Sequence, residues 1–252
     1  MPTINIVSDF SAITGGYGNS NTAQYGAIGG GYNNVVSGIQ ASVVGGYGNI
    51  ASGRNAVIPG GAYNTAGGLD SFAAGNVARA TYDGTFVWSD YSAVAGITST
   101  AANQFLARAA GGFYLYSSAN SKSGVKLAPG SGSWSSLSDR TSKTEIENVN
   151  DAQILAKVAS LPVSEWSYTE QGTGVRHLGP MAQDFRAAFG LGEDDKHISE
   201  VDEEGVALAA IKALQAEVAK KDRTLNDNVR KLDDLGMKYA RLEQRLESLE
   251  KA

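Results

Sequence analysis

The segment SAITGGYGNSNTAQYGAIGGGYNNVVSGIQASVVGGYGNIASGRNAVIPGGAYN, residues 11–64, decides the fold of the first part of the chain. In it the motif GGYxN recurs at residues 15–19, 30–34 and 45–49, and the variant GGAYN follows at residues 60–64. The copies are evenly spaced, so the segment has a strict 15-residue period. A repeat this short and strict predicts a solenoid, in which each repeat forms one coil and neighbouring coils stack.

A coil of this length has room for two short strands and two turns. Short apolar steps precede the glycine pairs, at Ala12-Ile13, Ala27-Ile28, Val43-Val44 and Val57-Ile58. Glycine and asparagine are expected to supply the left-handed backbone angles at the corners, and the corner tyrosines are expected to pack rather than to stack on a ligand. Because one coil contributes only about two inward aliphatic side chains, a single roll should be only marginally stable, and we expect several copies to assemble.

The repeat, as in ASVVGGYGNIASG at residues 41–53, resembles the head of trimeric autotransporter adhesins. The resemblance covers roughly residues 1–80. It implies an N-terminal all-β, left-handed parallel β-roll that forms a homotrimer and has a surface-exposed role in binding or as a spacer. A host-surface receptor or a glycan is the partner that such a head implies, although no residue of the repeats identifies one.

The distribution of charge divides the chain near residue 137. Residues 1–137 hold nine charged side chains, whereas the remaining 115 residues hold 38 of the 47 in the chain. The join falls in the small-residue stretch PGSGSWSSLS, residues 129–138, which is typical of a linker or turn. Aromatic segments at residues 85–88 and 112–116 predict strands, so residues 81–137 are assigned to a β-rich connector and linker.

At the join stands LSDRTSKTEI, residues 137–146, in which Ser138 precedes Lys143 by five residues. A serine hydroxyl becomes a nucleophile when a base takes its proton, and a lysine can be that base only if burial or a nearby cation lowers its pKa. The same spacing also fits a structural interpretation, in which Ser138 caps a turn and Lys143 lies on the solvated surface. On these residues alone, both interpretations stay open.

The residues downstream resemble the endosialidase-type intramolecular chaperone family over about residues 138–215. The strings that carry the resemblance are SDRTSK (138–143), LPVSEWSY (161–168), RHLGPMAQDF (176–185), FGLGEDD (189–195) and VDEEGVALAAIKAL (201–214). Members of this family stand at the C-terminus of phage tail spikes, tail fibres and similar trimeric β-rich proteins.

This second resemblance implies an α+β domain that trimerises, guides the folding of the fibrous part and then cuts itself off. In the family the cut lies immediately before the serine, here between Leu137 and Ser138, with Ser138 as the nucleophile and Lys143 as its general base. The implied activity is that of a serine-type, self-cleaving peptidase that turns over once. Some members carry an arginine one position after Arg140, where this chain has Thr141, so Arg140 is assigned no role.

Residues 216–252 have the apolar spacing of a coiled coil. Apolar residues recur from Ile211 to Leu249 in steps of three and four, with one step of seven from Val218 to Leu225. Mixed charges such as Arg241 and Glu243 fit a solvated outer face. A coiled-coil helix at the end of the chaperone domain agrees with the expected homotrimer. The alternative is an amphipathic helix that folds back on its own domain.

Composition excludes several classes of site. Without cysteine there is no thiolate metal site, and two histidines, His177 and His197, leave little for a metal centre, so neither a cofactor nor a metal is expected. A net charge of −5 offers no basic footprint for a nucleic acid, and no apolar run is long enough to span a membrane. The first residues lack the pattern of a signal peptide, so a phage virion, a bacterial surface and a piece of a longer fibre all stay open.

The leading prediction is a trimeric fibre, surface or tail protein whose C-terminal domain directs trimerisation and folding of the β-rich part. That domain then releases itself by autoproteolysis between Leu137 and Ser138. The alternative is a structural trimerisation module that stays uncut and carries an adhesin-like head for a host surface.

Overall fold

The chain divides into two units, Met1–Ser142 and Lys143–Ala252, and each is described by itself. The structure is a computed structural model and describes residues 6–7, 10–172 and 174–250. The strands of the first unit are, in chain order, β1 (Ile6–Val7), β2 (Ala12–Ile13), β3 (Ser20–Asn21), β4 (Ala27–Ile28), β5 (Val35–Val36), β6 (Ser42–Val43), β7 (Ile50–Ala51), β8 (Val57–Ile58), β9 (Gly61–Ala62), β10 (Thr65–Ala66), β11 (Phe72–Asn76), β12 (Ala78–Ala80), β13 (Phe86–Ser89), β14 (Ile97–Thr98), β15 (Phe105–Arg108), β16 (Phe113–Tyr116), β17 (Gly124–Leu127) and β18 (Trp134–Ser136).

The first unit begins with a parallel β-solenoid of about six turns, in which each coil gives a short strand to each of two sheets. One sheet has the order β1-β3-β5-β7-β10-β12-β14, and the other has the order β2-β4-β6-β8-β11-β13-β15. The register follows the sequence repeat, since Ile13 pairs with Ile28 and Val43 pairs with Ile58. The predicted parallel β-roll of 15-residue repeats is confirmed. Its left-handed sense and its trimeric assembly stay predictions.

An apolar column fills the inside of the solenoid. Ile28, Val43 and Ile58 stack from one coil to the next, and each is at most 1 % exposed. Stacking buries their aliphatic surface, which is the main contribution to the stability of each coil. The third coil differs from the sequence expectation. Its strand β6 ends at Val43, and Val44 lies outside it with 62 % of its surface exposed.

A ladder of asparagines runs beside this column. The asparagines that end the repeat motifs are at most 1 % exposed, and they are Asn19, Asn34, Asn49 and Asn64. The side-chain oxygen of Asn34 accepts the backbone N–H of Asn49 at 3.0 Å. Its amide nitrogen donates to the carbonyl oxygens of Gly30 and Gly46, at 3.0 and 2.9 Å. The ladder therefore satisfies polar backbone groups that the stacked coils remove from water.

One left-handed position of each coil falls on the second glycine of the pair, where Gly31 has a φ of 90° and Gly46 a φ of 95°. A β-carbon added to Gly46 would collide with the carbonyl oxygen of Gly61 in the next coil. Only glycine fits there. The motif asparagines thus differ from the expectation, because they pair buried groups and do not turn the chain, whereas the neighbouring Asn33 does adopt a left-handed angle, with a φ of 55°.

The corner tyrosines form a row along the outside of the solenoid. The rings of Tyr17 and Tyr32 stack with centroids 5.3 Å apart, and those of Tyr32 and Tyr47 lie 5.4 Å apart. Each ring therefore packs mainly on the ring of the next coil, which agrees with the packing role expected for them.

Parallel pairing continues beyond residue 80, where the strict repeat ends. Phe72 pairs with Phe86 and Phe86 pairs with Phe105, so one coil is slightly shorter than the repeat and the next is longer. The three rings stack with centroids 4.5 and 4.6 Å apart. Residues 85–88, assigned from the sequence to a connector, thus largely coincide with strand β13 of the solenoid.

Arg108 holds the loop that lengthens the last coil. Its Nε lies 2.9 Å from Oδ1 of Asp90, and its Nη1 donates to the carbonyl oxygen of Ala95 at 2.6 Å. Asp90 also accepts hydrogen bonds from the Ser92 hydroxyl and the Ala110 N–H, at 2.6 and 2.7 Å. These bonds, the one from Ser92 first, hold the pKa of Asp90 well below its ordinary value.

The first unit ends in a separate antiparallel sheet with the order β16-β17-β18. In its register Phe113 pairs with Leu127, and Leu127 pairs with Trp134. The strand predicted at residues 112–116 is therefore present as β16. This sheet is the β-rich connector that follows the solenoid.

The second unit mixes helices and strands. Its elements are α1 (Asp151–Ser160), β19 (Ser164–Trp166), β20 (His177–Gly179), α2 (Ala182–Phe189) and α3 (Glu200–Glu250). Asn150 starts α1, because its side chain accepts the N–H of Gln153 at 3.2 Å. Gly190 ends α2 with a left-handed φ of 67°. The α+β prediction for this part and its long final helix are confirmed.

The long helix α3 is covered only near its start. Val206 and Ala210 are each 7 % exposed, and Lys212 pairs with Asp151 of α1 at 2.8 Å. This first part packs on α1, as the fold-back alternative predicts. Beyond Ala213 every helix residue whose side chain the structure describes is exposed. None of the described helices is both long and apolar enough to cross a membrane.

Candidate cleavage site

The predicted scissile bond lies at the edge of the three-stranded sheet. Leu137 follows β18 directly, and its backbone N–H donates to the carbonyl oxygen of Gly124 in β17 at 3.0 Å. The side chain of Leu137 is 43 % exposed, and Ser138 is exposed as well. The Leu137–Ser138 bond is therefore anchored on one side by the sheet and open on its surface.

Asp139 turns the chain directly after this bond. Its carboxylate accepts the backbone N–H and the hydroxyl of Thr141, at 2.7 and 2.8 Å, and its carbonyl oxygen accepts the N–H of Ser142 at 3.1 Å. Arg140–Ser142 forms a single turn of 3-10 helix. The N–H of Thr141 first, and then its hydroxyl, lower the pKa of Asp139, so the carboxylate form is favoured.

Asp139 is not among the site residues predicted from the sequence. A signal for it exists, because an aspartate followed two residues later by a threonine is a common way to close a turn through the side chain. In this chain the turn sets the direction in which the backbone leaves Ser138. Asp139 thus shapes the backbone next to Ser138.

The two residues of the predicted dyad lie in different units. Ser138 belongs to Met1–Ser142, and Lys143 is the first residue of the second unit. Both side chains are exposed. A lysine amine serves as a general base where its surroundings exclude water or place a cation beside it. The first of these conditions is not met at Lys143 in the single chain.

The two histidines take part in contacts within the second unit. Nε2 of His177 lies 2.7 Å from Oε1 of Gln171, and its ring stacks on Trp166 with centroids 4.7 Å apart. Nδ1 of His197 lies 2.9 Å from Oδ2 of Asp194. In the part of the chain that the structure describes, no three acidic or histidine side chains are grouped so as to hold a metal ion.

Comparison with known protein families gives a match that begins at Ser138. Residues 138–190 match the family described as chaperone of endosialidase. The match covers about a fifth of the chain, from the predicted nucleophile to the glycine that ends α2. A chaperone of endosialidase in this position supports a role in trimerisation and folding of the β-rich part, and it suggests a self-cleaving peptidase-type domain. The resemblance stated from the sequence is confirmed for this segment.

Neither the curated proteins nor the solved structures contain a match to the chain. The chaperone match does not extend to the solenoid, so the likeness of the repeats to adhesin heads stays a prediction.

Proposed function

We propose that three copies of this chain assemble through α3, that residues 138–215 guide the folding of the β-rich part, and that the chaperone part then releases itself between Leu137 and Ser138. The position of the family match carries this proposal. The match begins two residues after β18 ends, so the chaperone segment and the β-rich part meet without overlapping. The charge boundary of the sequence falls at the same place.

The exposed part of α3 has a surface that fits identical helices. Every seventh residue over this part is apolar or aromatic, and these residues are Ile211, Val218, Leu225, Leu232, Tyr239 and Leu246. Each is between 49 and 67 % exposed. A seven-residue spacing keeps side chains on one face of supercoiled helices, so these residues form one seam. A helix of about 77 Å, at 1.5 Å per residue, gains most of its stability from burying such a seam.

Assembly at the C-terminal end gives a physical reason for a chaperone role. Each solenoid strand pairs with a strand about one full coil away in the chain, and three rolls have to adopt the same register beside each other. Such non-local pairing is slow, and it leaves strand edges that aggregate. Copies that are already joined through α3 present their rolls to each other at a high effective concentration.

The cleavage step requires only the chain and water. Oγ of Ser138 attacks the carbonyl carbon of Leu137 while a neutral Lys143 amine takes the hydroxyl proton. The bond from that carbon to the Ser138 nitrogen breaks, and the proton passes to the nitrogen, which becomes the new amino terminus. Leu137 is then an ester on Oγ. Water hydrolyses it to a carboxylate and restores the hydroxyl, and the catalyst leaves with the released part.

The exposure of Ser138 and Lys143 in the single chain links this step to assembly. A neutral amine at Lys143 requires that water be excluded from it or that a cation lie beside it, and neighbouring copies can supply either condition. The cut therefore follows assembly. Once the chaperone part has left, it can no longer assist refolding, and the remaining part persists because its unfolding barrier is high.

Denaturing electrophoresis and intact mass of the purified full chain test the proposal. The wild type is expected to give fragments of 137 and 115 residues, whereas Ser138→Ala is expected to give only the chain of 252 residues. Ser136→Ala is the matched control, because it removes a serine hydroxyl two residues away and should cut like the wild type. Leu225→Glu places a charge in the α3 seam, so this variant should stay single and uncut although its dyad is intact.

The outcomes separate the parts of the proposal. If the wild-type chain is assembled but intact, the result contradicts self-cleavage and favours the uncut trimerisation module that carries an adhesin-like head. A cut that persists in Ser138→Ala assigns the chemistry to another nucleophile. A wild-type chain of single-copy mass removes assembly through α3.

A further inference from the structure

The sheet that precedes the candidate cleavage site has one strongly apolar face. Successive residues of a strand point to opposite faces of a sheet, and residues paired across strands lie on the same face. Phe113, Leu127 and Trp134 form one cross-strand row, and Leu115, Val125 and Ser136 form the row two residues along on the same face. We call the five apolar side chains of these two rows the apolar sheet face. It carries no charged side chain.

The opposite face of the same sheet has a different composition. Tyr114, Lys126 and Ser135 form one of its rows. Nζ of Lys126 lies 5.3 Å from the centroid of the Tyr114 ring, so the ammonium covers that ring. Tyr116 stacks beside Tyr114 with centroids 6.3 Å apart. Phenol and ammonium groups suit this face to water, and the two faces are therefore not equivalent.

The apolar sheet face is only partly covered in the single chain. Leu115 is 57 % exposed and Trp134 is 52 % exposed, whereas Phe113, Val125 and Leu127 are half-buried. A sheet with one apolar face is stable when a second layer covers that face. An exposed apolar patch of this kind marks an interaction surface.

The proposed cut restricts what can cover this face permanently. All three strands lie before Leu137, so the whole sheet stays with the 137-residue product. Any cover supplied by the second unit would leave with it. The copies that assemble through α3 carry the same face at the same place in the chain, and an uncharged face meets its own copy without like-charge repulsion.

We propose that the apolar sheet faces of neighbouring copies pack against each other and hold the product together at its C-terminal end after the chaperone part has left. The inference rests on the assembly in the proposed function and adds the surface that replaces α3. The occupant of the face is another copy of the same sheet, and the Tyr114 face stays in water.

Single cysteines test which face is the interface, because the chain contains no cysteine of its own. Leu115→Cys and Tyr114→Cys are matched variants, since the two residues are adjacent in β16 and lie on opposite faces. Both are made in the Ser138→Ala full chain with a recognition sequence for a site-specific protease inserted after Leu137, so that the cut does not depend on self-cleavage. Each protein is treated with a short bis-maleimide before and after that protease, and covalent dimers are read by denaturing electrophoresis.

The expected result is that Leu115→Cys forms dimers at least tenfold faster than Tyr114→Cys, at a rate independent of protein concentration, both before and after the cut. In the assembled protein its thiol should also react with a bulky maleimide at least tenfold more slowly than that of Tyr114→Cys. Cysteine is smaller than either residue it replaces, and circular dichroism of both variants checks that they fold.

Equal dimer yields from the two variants, or a freely reactive Leu115→Cys in an assembled protein, would overturn the inference. A Leu115→Cys that dimerises in a protein whose wild type never cuts itself removes self-cleavage and leaves the interface in place. A chain of single-copy mass removes both the assembly and the interface.

Discussion

Replacing Asn34 by alanine tests the ladder that joins the coils of the solenoid. Asn34 is fully buried, its amide nitrogen donates to Gly30, Gly46 and the side chain of Asn19, and its oxygen accepts the N–H of Asn49. Alanine removes all of these bonds. Gly46 keeps the N–H of Tyr32 as a donor, whereas the Asn49 N–H is left buried without its acceptor.

The expected loss follows from these contacts. A buried N–H without an acceptor costs about 1–3 kcal/mol, and each further hydrogen bond contributes about 0.5–1.5 kcal/mol net. Asn34→Ala should therefore lower the free energy of unfolding by about 3–5 kcal/mol. For an m-value of about 2 kcal/mol per molar in urea, the midpoint of denaturation should fall by about 2 M.

The matched control is Asn33→Gly, since Asn33 is the neighbouring asparagine, is exposed and has a φ of 55° that glycine adopts freely. Its midpoint should stay within about 0.5 M of the wild type. The assay is urea denaturation of the full chain, followed by circular dichroism. An Asn34→Ala midpoint equal to that of Asn33→Gly would refute a stabilising role of the asparagine ladder.

Two further predictions concern the corners and the loop of the last coil. Gly46→Ala should lower the free energy of unfolding by about 3 kcal/mol or more, because the added β-carbon meets the Gly61 carbonyl at a residue with a positive φ. Gly45→Ala is the control, because its β-carbon would lie 4.0 Å from its nearest neighbour. In the same urea assay it should change the free energy of unfolding by less than about 1 kcal/mol. The pKa of Asp90 is lowered in the folded protein, so its stabilising contribution is fully present above the unfolded pKa of about 3.9 and is lost as the pH falls through the folded value. Asp90→Asn lacks this contribution at every pH, so the gap in Tm between wild type and variant should narrow from about pH 6 to about pH 2, and a gap that stays constant contradicts the argument.

The amino-acid sequence was sufficient for the architecture of the solenoid. Its period gives the length of a coil, because a strict 15-residue repeat brings chemically identical positions above one another. The strings from Ser138 onward were likewise sufficient to place the chaperone segment that the family match identifies. The seven-residue spacing in α3 is also visible in the sequence, since it depends only on helix geometry.

The tertiary structure decided which atoms satisfy each other between coils. A period does not say that the motif asparagines are buried, or that pairing continues through Phe86 and Phe105 after the repeat has faded. The same holds for the face on which Leu115 lies. These features depend on register and on contacts between residues that are distant in the chain. Local preference determines a residue's conformation, but its burial and its strand pairing depend on how the coils stack on each other.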